Sequence, residues 1–321
     1  LPDMLFMLIS GGALAIAFIP VLTEALTKEG RGKAWDLFSN ILNIAFLLTA
    51  AATIIIAIFA RPLVTSQLGI APGFTEAQTV DTIRLLRLNL ISTLIFSLSG
   101  LAMAGLQANQ HFLLPALAPI LYDVGQIFGA LVLAPTEPLK FGPVRLPAFG
   151  FGVDGLVYGV IIGALLHLLI QVPGLIKYQF RWHPRVDFKE SYTRKVLRLM
   201  GPRVVSMLFI QLIFLAQDNL GSRLSEGSVS ALTYGWWIMQ VPQTLIGTSI
   251  ATAILPTLSE MFSNQQFELL KERIERAARV MITLTVPVAI VAGMVLLPVV
   301  RLFLGLDEAG TLRVANTSQI F

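Results

Sequence analysis

The chain has 321 residues, of which 55% are apolar and only 13% are charged, and its mean hydropathy is +0.76. Soluble domains carry about 25% charged residues, so this composition excludes an ordinary soluble globule and indicates an integral membrane protein. The absence of cysteine excludes disulfides, thiol chemistry and cysteine-ligated metals. The formal net charge of +4 is informative only through the positions of the lysines and arginines.

Long apolar runs predict eight membrane-spanning helices, because a span needs about 20 mostly apolar residues. In chain order they cover residues 3–26, 37–60, 86–107, 112–134, 152–176, 200–221, 231–260 and 279–304. The runs do not alternate between apolar and polar residues, which argues against strands.

The basic residues predict the orientation of these helices. Fifteen of the 23 lysines and arginines lie in the connections after helices 1, 3, 5 and 7. Positive loops face the cytoplasm, so helix 1 begins on the outer side. We therefore expect one more helix before residue 1 and interpret the chain as a fragment. No basic segment precedes the first apolar run, so no signal peptide is visible.

A repeat at an offset of 236 residues relates the two ends of the chain. Residues 15–26 read AIAFIPVLTEAL, and residues 251–262 read ATAILPTLSEMF. The same register aligns Gly11 with Gly247, Pro20 with Pro256, Glu24 with Glu260, and Pro62 with Pro298. Helices 1 and 7 are six apart, so the two copies point the same way, as in transporters built from two parallel lobes.

The repeat predicts an all-α, two-lobe transporter fold with three parts. Residues 1–177 form the first lobe, residues 178–199 form a cytoplasmic linker, and residues 200–321 begin the second lobe. Pro20, Glu24, Pro256 and Glu260 are then candidates for a gate or hinge at equivalent cytoplasmic helix ends. The alternative is that the prolines only shape packing and that the glutamates lie in water or among headgroups.

Four segments resemble successive parts of one known family. They are LPDMLFMLISGGALAIAFIPVLTEAL, LLRLNLISTLIFSLSGLAMAGLQANQHFLLPALAPILYDVGQI, GVDGLVYGVIIGALLHLLIQVPGLIKY and LMGPRVVSMLFIQ. They are similar to the MurJ/MviN family of lipid II flippases, which belongs to the multidrug/oligosaccharidyl-lipid/polysaccharide exporter superfamily. The similarity covers essentially the whole chain and is most specific from Asn109 to Leu121.

The resemblance implies a fold, a location and a function. The family has fourteen helices, of which this chain would hold the second to the ninth, in the bacterial plasma membrane. The implied function is translocation of lipid-linked peptidoglycan precursor from the inner to the outer leaflet by alternating access, for cell-wall synthesis. The implied substrate is an undecaprenyl-diphosphate-linked glycan.

A diphosphate headgroup favours arginine, whose fork pairs with phosphate oxygens. Where the family has arginines, this chain has Phe6, Met7 and Trp237, which puts diphosphate recognition by the usual residues in doubt. The residues that we select as candidates for substrate binding are Asp3, Arg87, Asp123, Trp237 and Gln240.

Each of these candidates has a structural alternative. Asp123 lies in the middle of a span, where a charge must face a cavity or a partner. Arg87 either binds in the cavity or reaches lipid headgroups, and Trp237 either stacks on a sugar ring or anchors a helix end at the interface. Gln240 is equally explained as a hydrogen bond between helices, and Asp3 as a solvated helix end.

Asp218 is the candidate for ion coupling, because the resemblance places a cation-coupling carboxylate near it, and the alternative is an exposed helix end beside Arg223. No cofactor is expected, and a monovalent cation or the membrane potential would supply the driving force. The basic cytoplasmic loops favour contact with anionic phospholipids rather than with nucleic acid. His167, alone among leucines, is interpreted as a packed polar side chain.

The sequence lacks a Walker-type phosphate loop, a metal-spaced histidine pair and a plausible Ser-His-Asp set, so an enzyme is not expected. Three other functions stay open. They are a drug or polysaccharide exporter of the same superfamily, a membrane-embedded glycan polymerase, and a degenerate relative that acts as a scaffold.

Overall fold

The computed structural model describes residues 2–5, 13–141, 144–225, 227–263 and 265–304. Within these ranges the chain is helical almost throughout, which confirms the all-α fold class. The chain divides into two compact units, Leu1–Asn219 and Leu220–Phe321.

The described residues form twelve α-helices, two of which continue into π-helical segments. In chain order the helices are α1 (Pro2–Leu5), α2 (Ala13–Lys28), α3 (Gly30–Ile58), α4 (Ala60–Thr65), α5 (Glu76–Ala108), α6 (Leu113–Phe128), α7 (Val153–Leu169), α8 (Val172–Lys177), α9 (Ser191–Ser222), α10 (Ser228–Pro242), α11 (Ser249–Ser263) and α12 (Phe267–Leu304). The π-helical segments are Gly129–Leu133 after α6 and Gln243–Thr248 after α10.

Six helical stretches of the described chain are long and apolar enough to cross a membrane. They are Gly30–Ile58, Glu76–Ala108, Leu113–Leu133, Val153–Lys177, Ser191–Ser222 and Phe267–Met294, and they match six of the eight predicted spans. The first predicted span, 3–26, includes residues 6–12, which lie outside the described ranges. The seventh, 231–260, lies within one continuous helical stretch, in which the π-helical segment Gln243–Thr248 joins α10 to α11 just after Pro242, a residue without a backbone N–H donor.

Helix α9 begins well before the predicted span at residue 200. Glu190 caps it, because its carboxylate accepts hydrogen bonds from the backbone N–H of Thr193 at 2.9 Å and of Tyr192 at 3.3 Å. The first turns of α9 are polar, so a prediction from apolar length alone does not detect them. The lobe boundaries predicted at residues 177 and 200 stay a prediction. In the structure, the two compact units are divided in the chain between Asn219 and Leu220.

A short hairpin interrupts the helices between α6 and α7, although the absence of alternation argued against strands. Strand β1 (Lys140–Phe141) pairs antiparallel with β2 (Val144–Arg145), with Lys140 opposite Arg145. The hairpin lies in the polar connection and not in an apolar run, so the helical class is unaffected.

The repeat is visible in the helix bounds as well as in the residues. Helix α2 ends at Lys28 and α11 at Ser263, and α3 begins at Gly30 and α12 at Phe267, so these bounds are offset by 235 and 237 residues. Gly30, the first residue of α3, and Gln265, two residues before α12, both have positive φ angles. Each copy is therefore a helix, a left-handed turn residue and a longer helix.

Helices α6 and α7 pack backbone to backbone through glycine. A Cβ atom added to Gly125 would lie 2.3 Å from the Cα of Gly163, and one added to Gly159 would lie 2.6 Å from the Cα of Gly129. Glycines four residues apart let two membrane helices approach this closely. This contact holds the second half of the first unit together.

An aromatic core closes the end of the first unit at the start of α3. Phe38 has its ring centroid 5.8 Å from Phe18, 5.4 Å from Trp35 and 4.9 Å from Phe180. Edge-to-face contacts of this kind add to the burial of the rings. Because Phe180 follows α8, this core also fixes where the connection between α8 and α9 begins.

Candidate functional site

A cavity of about 670 Å³ lies in the first unit, where α4, α5 and the start of α7 meet. We call it the outer arginine cavity, since the charge pattern predicts that it faces outward. It is lined by Arg61, Val80, Ile83, Arg84, Arg87, Leu88, Ile91, Asp154 and Tyr158. Three guanidinium groups thus share one cavity with an apolar wall.

Arg84 joins α5 to the first turn of α7. Its guanidinium lies 2.6 Å from a carboxylate oxygen of Asp154 and 3.0 Å from one of Asp81. Asp154 is therefore a helix-to-helix partner rather than only a solvated helix end. Its other oxygen, Oδ1, is buried without a hydrogen-bond partner among the described residues.

Arg87 lies one turn after Arg84 on the same face of α5. Its Nε donates a 2.9 Å hydrogen bond to the carbonyl oxygen of Ala57, near the end of α3. This bond fixes the plane of the guanidinium group, and no ion pair joins Arg87 to a carboxylate in the described part of the chain. Arg61, by contrast, pairs with Glu76 at 2.7 Å.

The cavity has the chemistry that a lipid-linked phosphate needs. An arginine fork pairs with phosphate oxygens, and Ile83, Leu88 and Ile91 offer an apolar wall to a hydrocarbon chain. Arg87 provides the guanidinium that is not neutralised by a described acid. The structure therefore places one of the five substrate-binding candidates in a cavity, together with two arginines.

Asp123 does not line this cavity. It is exposed on α6, on a face with the exposed side chains of Ile120, Val124 and Ile127, whereas Pro115, Ala118 and Gly125 are buried. A carboxylate on an otherwise apolar membrane face is costly unless it meets water or a polar partner. Its exposure leaves it accessible to such a partner.

Trp237 and Gln240 lie three residues apart on α10, in the second unit. Trp237 is 60% exposed and makes an edge contact with Tyr234, with ring centroids 5.9 Å apart. Gln240 is half-buried. Asp3 belongs to α1, but its side chain lies outside the described part, as do Phe6 and Met7 entirely.

Asp218, the ion-coupling candidate, is half-buried near the end of α9. The next residue, Asn219, donates hydrogen bonds to the carbonyl oxygens of Gln67 at 3.0 Å and Gly69 at 2.5 Å. The end of α9 is thereby held against the turn that follows α4. The residue next to Asp218 therefore anchors the end of α9.

The gate candidates are described in one copy of the repeat. Pro20 is exposed inside α2, and Glu24 forms ion pairs with Lys28 at 2.9 Å and with Lys195 of α9. Pro256 lies inside α11 and Glu260 near its end, but their side chains are outside the described part. Glu24 therefore connects the end of α2 to the start of α9.

Two arrangements were missed in the sequence. The buried side chains of Ser99, His167 and Gln171 form one hydrogen-bonded cluster between α5 and α7, with Ser99 Oγ 2.5 Å from His167 Nδ1. The second is the connection 178–190, which is bound along α3 by Asn40 and Asn43. Polar residues inside apolar runs were the only signal for either arrangement.

Comparison with known proteins identifies the family. The family model described as lipid II flippase MurJ matches residues 1–321. The lipid II flippase MurJ of Burkholderia cenocepacia is 30% identical over 269 residues, which are 81% of this chain and 49% of that protein. The probable lipid II flippase MurJ of Buchnera aphidicola subsp. Acyrthosiphon pisum is 24% identical over 94% of this chain and 56% of that protein. The chain spans about half the length of these curated relatives.

Two solved structures share the fold. A lipid II flippase MurJ in an inward closed conformation has a TM-score of 0.75 and 19% identity, and it covers 99% of this chain and 62% of its own length. An inward-facing multidrug resistance MATE family transporter of the MOP superfamily has a TM-score of 0.76 and 15% identity. The match covers 99% of this chain and 70% of that transporter. The family match over every residue, together with this fold, shows that the chain belongs to the lipid II flippase MurJ family.

Proposed function

We propose that the complete protein, of which this chain is a part, moves lipid II from the inner to the outer leaflet of the bacterial plasma membrane. The observation that carries the proposal is the family match over all 321 residues. The parallel repeat supports alternating access, in which two similar lobes rock about a central site.

The arrangement of charges suggests how the lipid-linked glycan is handled. Arg87, held by Ala57, is proposed to contact the diphosphate at the outer arginine cavity while the polyprenyl chain lies against the apolar wall. Asp123, Trp237, Gln240 and Asp3 are proposed to face the path of the headgroup. Pro20, Glu24, Pro256 and Glu260 are proposed to form the moving inner ends.

Translocation breaks no covalent bond, so the proposed protein is a transporter and not an enzyme. We propose no cofactor. A monovalent cation coupled through Asp218, or the membrane potential, would supply the free energy. The basic inner segments are proposed to contact anionic phospholipid headgroups, which attract lysine and arginine near the membrane surface.

The test uses the complete gene in cells depleted of their own lipid II flippase. We expect growth to recover, and the amount of lipid II accessible at the outer leaflet to rise. The Asp123→Ala variant should insert normally and restore less of both. A well-expressed, correctly inserted wild-type protein that restores neither growth nor accessibility would overturn the proposal.

A further inference from the structure

The connection between α8 and α9, residues 178–190, lies along α3 as a fixed strap. Trp35 Nε1 donates to the carbonyl oxygen of Tyr178 at 3.0 Å, and Asn43 Nδ2 donates to those of His183 and Arg185 at 2.8 and 2.9 Å. Asn40 donates to the carbonyl of Asp187 at 2.8 Å and accepts from its N–H at 2.7 Å. The strap is thereby held mainly through its backbone, and the Arg181 side chain forms no ion pair in the described part of the chain.

Between the strap and the start of α3 lies a groove of about 670 Å³. We call it the strap groove, and it is lined by Arg31, Gly32, Trp35, Asp36, Gln179, Phe180, Arg181 and His183. It is separate from the outer arginine cavity and shares no residue with it.

The charges of the strap groove are not balanced by the acids that line it. Its one lining carboxylate, Asp36, lies 3.3 Å from His183. In the described part of the chain, Arg31 and Arg181 make no ion pair with a carboxylate, and both are exposed. Two arginines with no carboxylate partner on one concave surface favour an anion, and their planar forks fit phosphate oxygens.

Aromatic contacts hold one of these arginines in place. The guanidinium carbon of Arg31 lies 5.6 Å from the ring centroid of Tyr178, and the Nζ of Lys177 is 5.9 Å from the same ring. A guanidinium stacked on a ring keeps its N–H edges available for hydrogen bonds. Arg31 is therefore presented to the groove at a reduced entropic cost.

The strap groove lies near the predicted membrane surface. It lies at the ends of two membrane-spanning stretches, Gly30–Ile58 and Val153–Lys177, on the side that the charge pattern predicts to be cytoplasmic. The strap also exposes Trp182 and Phe188, and aromatic side chains favour the membrane interface. Both features place the groove at the level of lipid headgroups.

We propose that the strap groove is a phosphate-binding site, in which Arg31 and Arg181 clamp the phosphate of an anionic phospholipid or of a soluble phosphate ester. This proposal assigns the contact with anionic phospholipids to named residues. It rests on that proposed contact only if the bound phosphate belongs to a lipid. It does not depend on the transport of lipid II, so binding and transport are tested separately.

The test measures binding of phosphatidylglycerol to the complete protein in zwitterionic detergent by native mass spectrometry. In the double variant Arg31→Ala/Arg181→Ala we expect binding about a hundredfold weaker, because each lost hydrogen bond to a charged group contributes roughly a factor of ten. The double variant Arg31→Lys/Arg181→Lys keeps the charge but loses the fork, and we expect an intermediate affinity. The strap is held by its backbone, so these changes should leave the thermal unfolding midpoint unaltered.

The matched control is the double variant Arg194→Ala/Arg198→Ala, which removes two exposed arginines of α9 that do not line the groove. We expect it to bind phosphatidylglycerol nearly as tightly as the wild type. Equal losses in the groove and control variants would show diffuse surface attraction and overturn the site, as would no loss in the groove variant.

Competition with glycerol 1-phosphate separates the two sources. If glycerol 1-phosphate does not displace the lipid, the site takes the phosphate of a membrane lipid. If it displaces the lipid from the wild type but does not bind the Arg31→Ala/Arg181→Ala variant, the site is one for soluble phosphate esters.

Discussion

His167 shows how a polar side chain is accommodated inside the first unit. The side-chain amide of Gln171 donates hydrogen bonds to Ser99 Oγ at 2.8 Å and to the carbonyl oxygen of His167 at 2.7 Å. Ser99 Oγ also lies 2.5 Å from His167 Nδ1, and which of these two atoms donates depends on the tautomer of the imidazole. The cluster links α5 to α7 by buried hydrogen bonds.

The Ser99→Ala change tests this cluster. It removes the acceptor of Gln171 and the hydrogen-bond partner of His167 in a buried site, and we expect the free energy of unfolding to fall by about 1 kcal/mol. Thermal unfolding of the complete protein in detergent measures the change. The control is Ser66→Ala, at an exposed serine, and equal unfolding midpoints for the two variants would contradict this role.

The ion pair of Arg84 and Asp154 could not be found in the sequence, since the two residues are 70 positions apart. The sequence predicted a span beginning at residue 86, whereas α5 begins at Glu76, so Arg87 lies well inside the helix. The sequence could not predict that Arg84 is paired and that Arg87 is not. The distinction depends on how α5 and α7 pack.

At the scale of the elements, the contact between α6 and α7 depends on glycines at positions 125, 129, 159 and 163. We predict that Gly159→Ala destabilises the protein by about 1–3 kcal/mol, because its methyl group would overlap the backbone of α6. The midpoint of thermal unfolding in detergent checks the prediction.

Gly201→Ala is the matched control for this change. Gly201 also lies in a helix, but a Cβ atom added there has no heavy atom within 4 Å in the described structure. Alanine favours a helix over glycine, so this variant should be as stable as the wild type or slightly more stable. A smaller loss for Gly159→Ala than for Gly201→Ala would show that the close approach of α6 and α7 is not important.

The strap should respond to acid in a defined direction. A hydrogen bond from Arg185 and a second one from the N–H of Lys189 lower the pKa of Asp187 below its ordinary value. A lowered pKa in the folded state means that the stabilisation is complete above the pKa of the unfolded chain and is lost as the pH falls through the folded pKa. We therefore predict a loosening of the strap only below about pH 4.

The protection factors of the backbone amides in residues 183–189 measure this effect when they are followed by hydrogen exchange from neutral to acidic pH. The Asp187→Asn variant lacks the charge and should exchange faster already at neutral pH, with a weaker dependence on pH. If the wild type loosened near pH 6 instead, Asp187 would not be the responsible group.

At the scale of the molecule, the protein is a multi-pass protein of the bacterial inner membrane. The membrane spans and the family could be predicted, because apolar length and motif spacing are local properties of the sequence. The π-helical segment after Pro242, the polar start of α9 and the strap on α3 could not be located, because each depends on backbone geometry or on partners far along the chain. The candidate site was predicted only at Arg87, and its cavity became visible with α4 and α7 in place.

Reconstituted vesicles test whether the complete protein translocates lipid II. Fluorescent lipid II is placed in proteoliposomes, and the fraction that an externally added, impermeant reagent can reach is followed with time. We predict that this fraction grows faster with the complete protein than in protein-free vesicles, and that Asp123→Ala reduces the increase. If a correctly inserted complete protein left the fraction at the level of protein-free vesicles, the protein would not translocate lipid II.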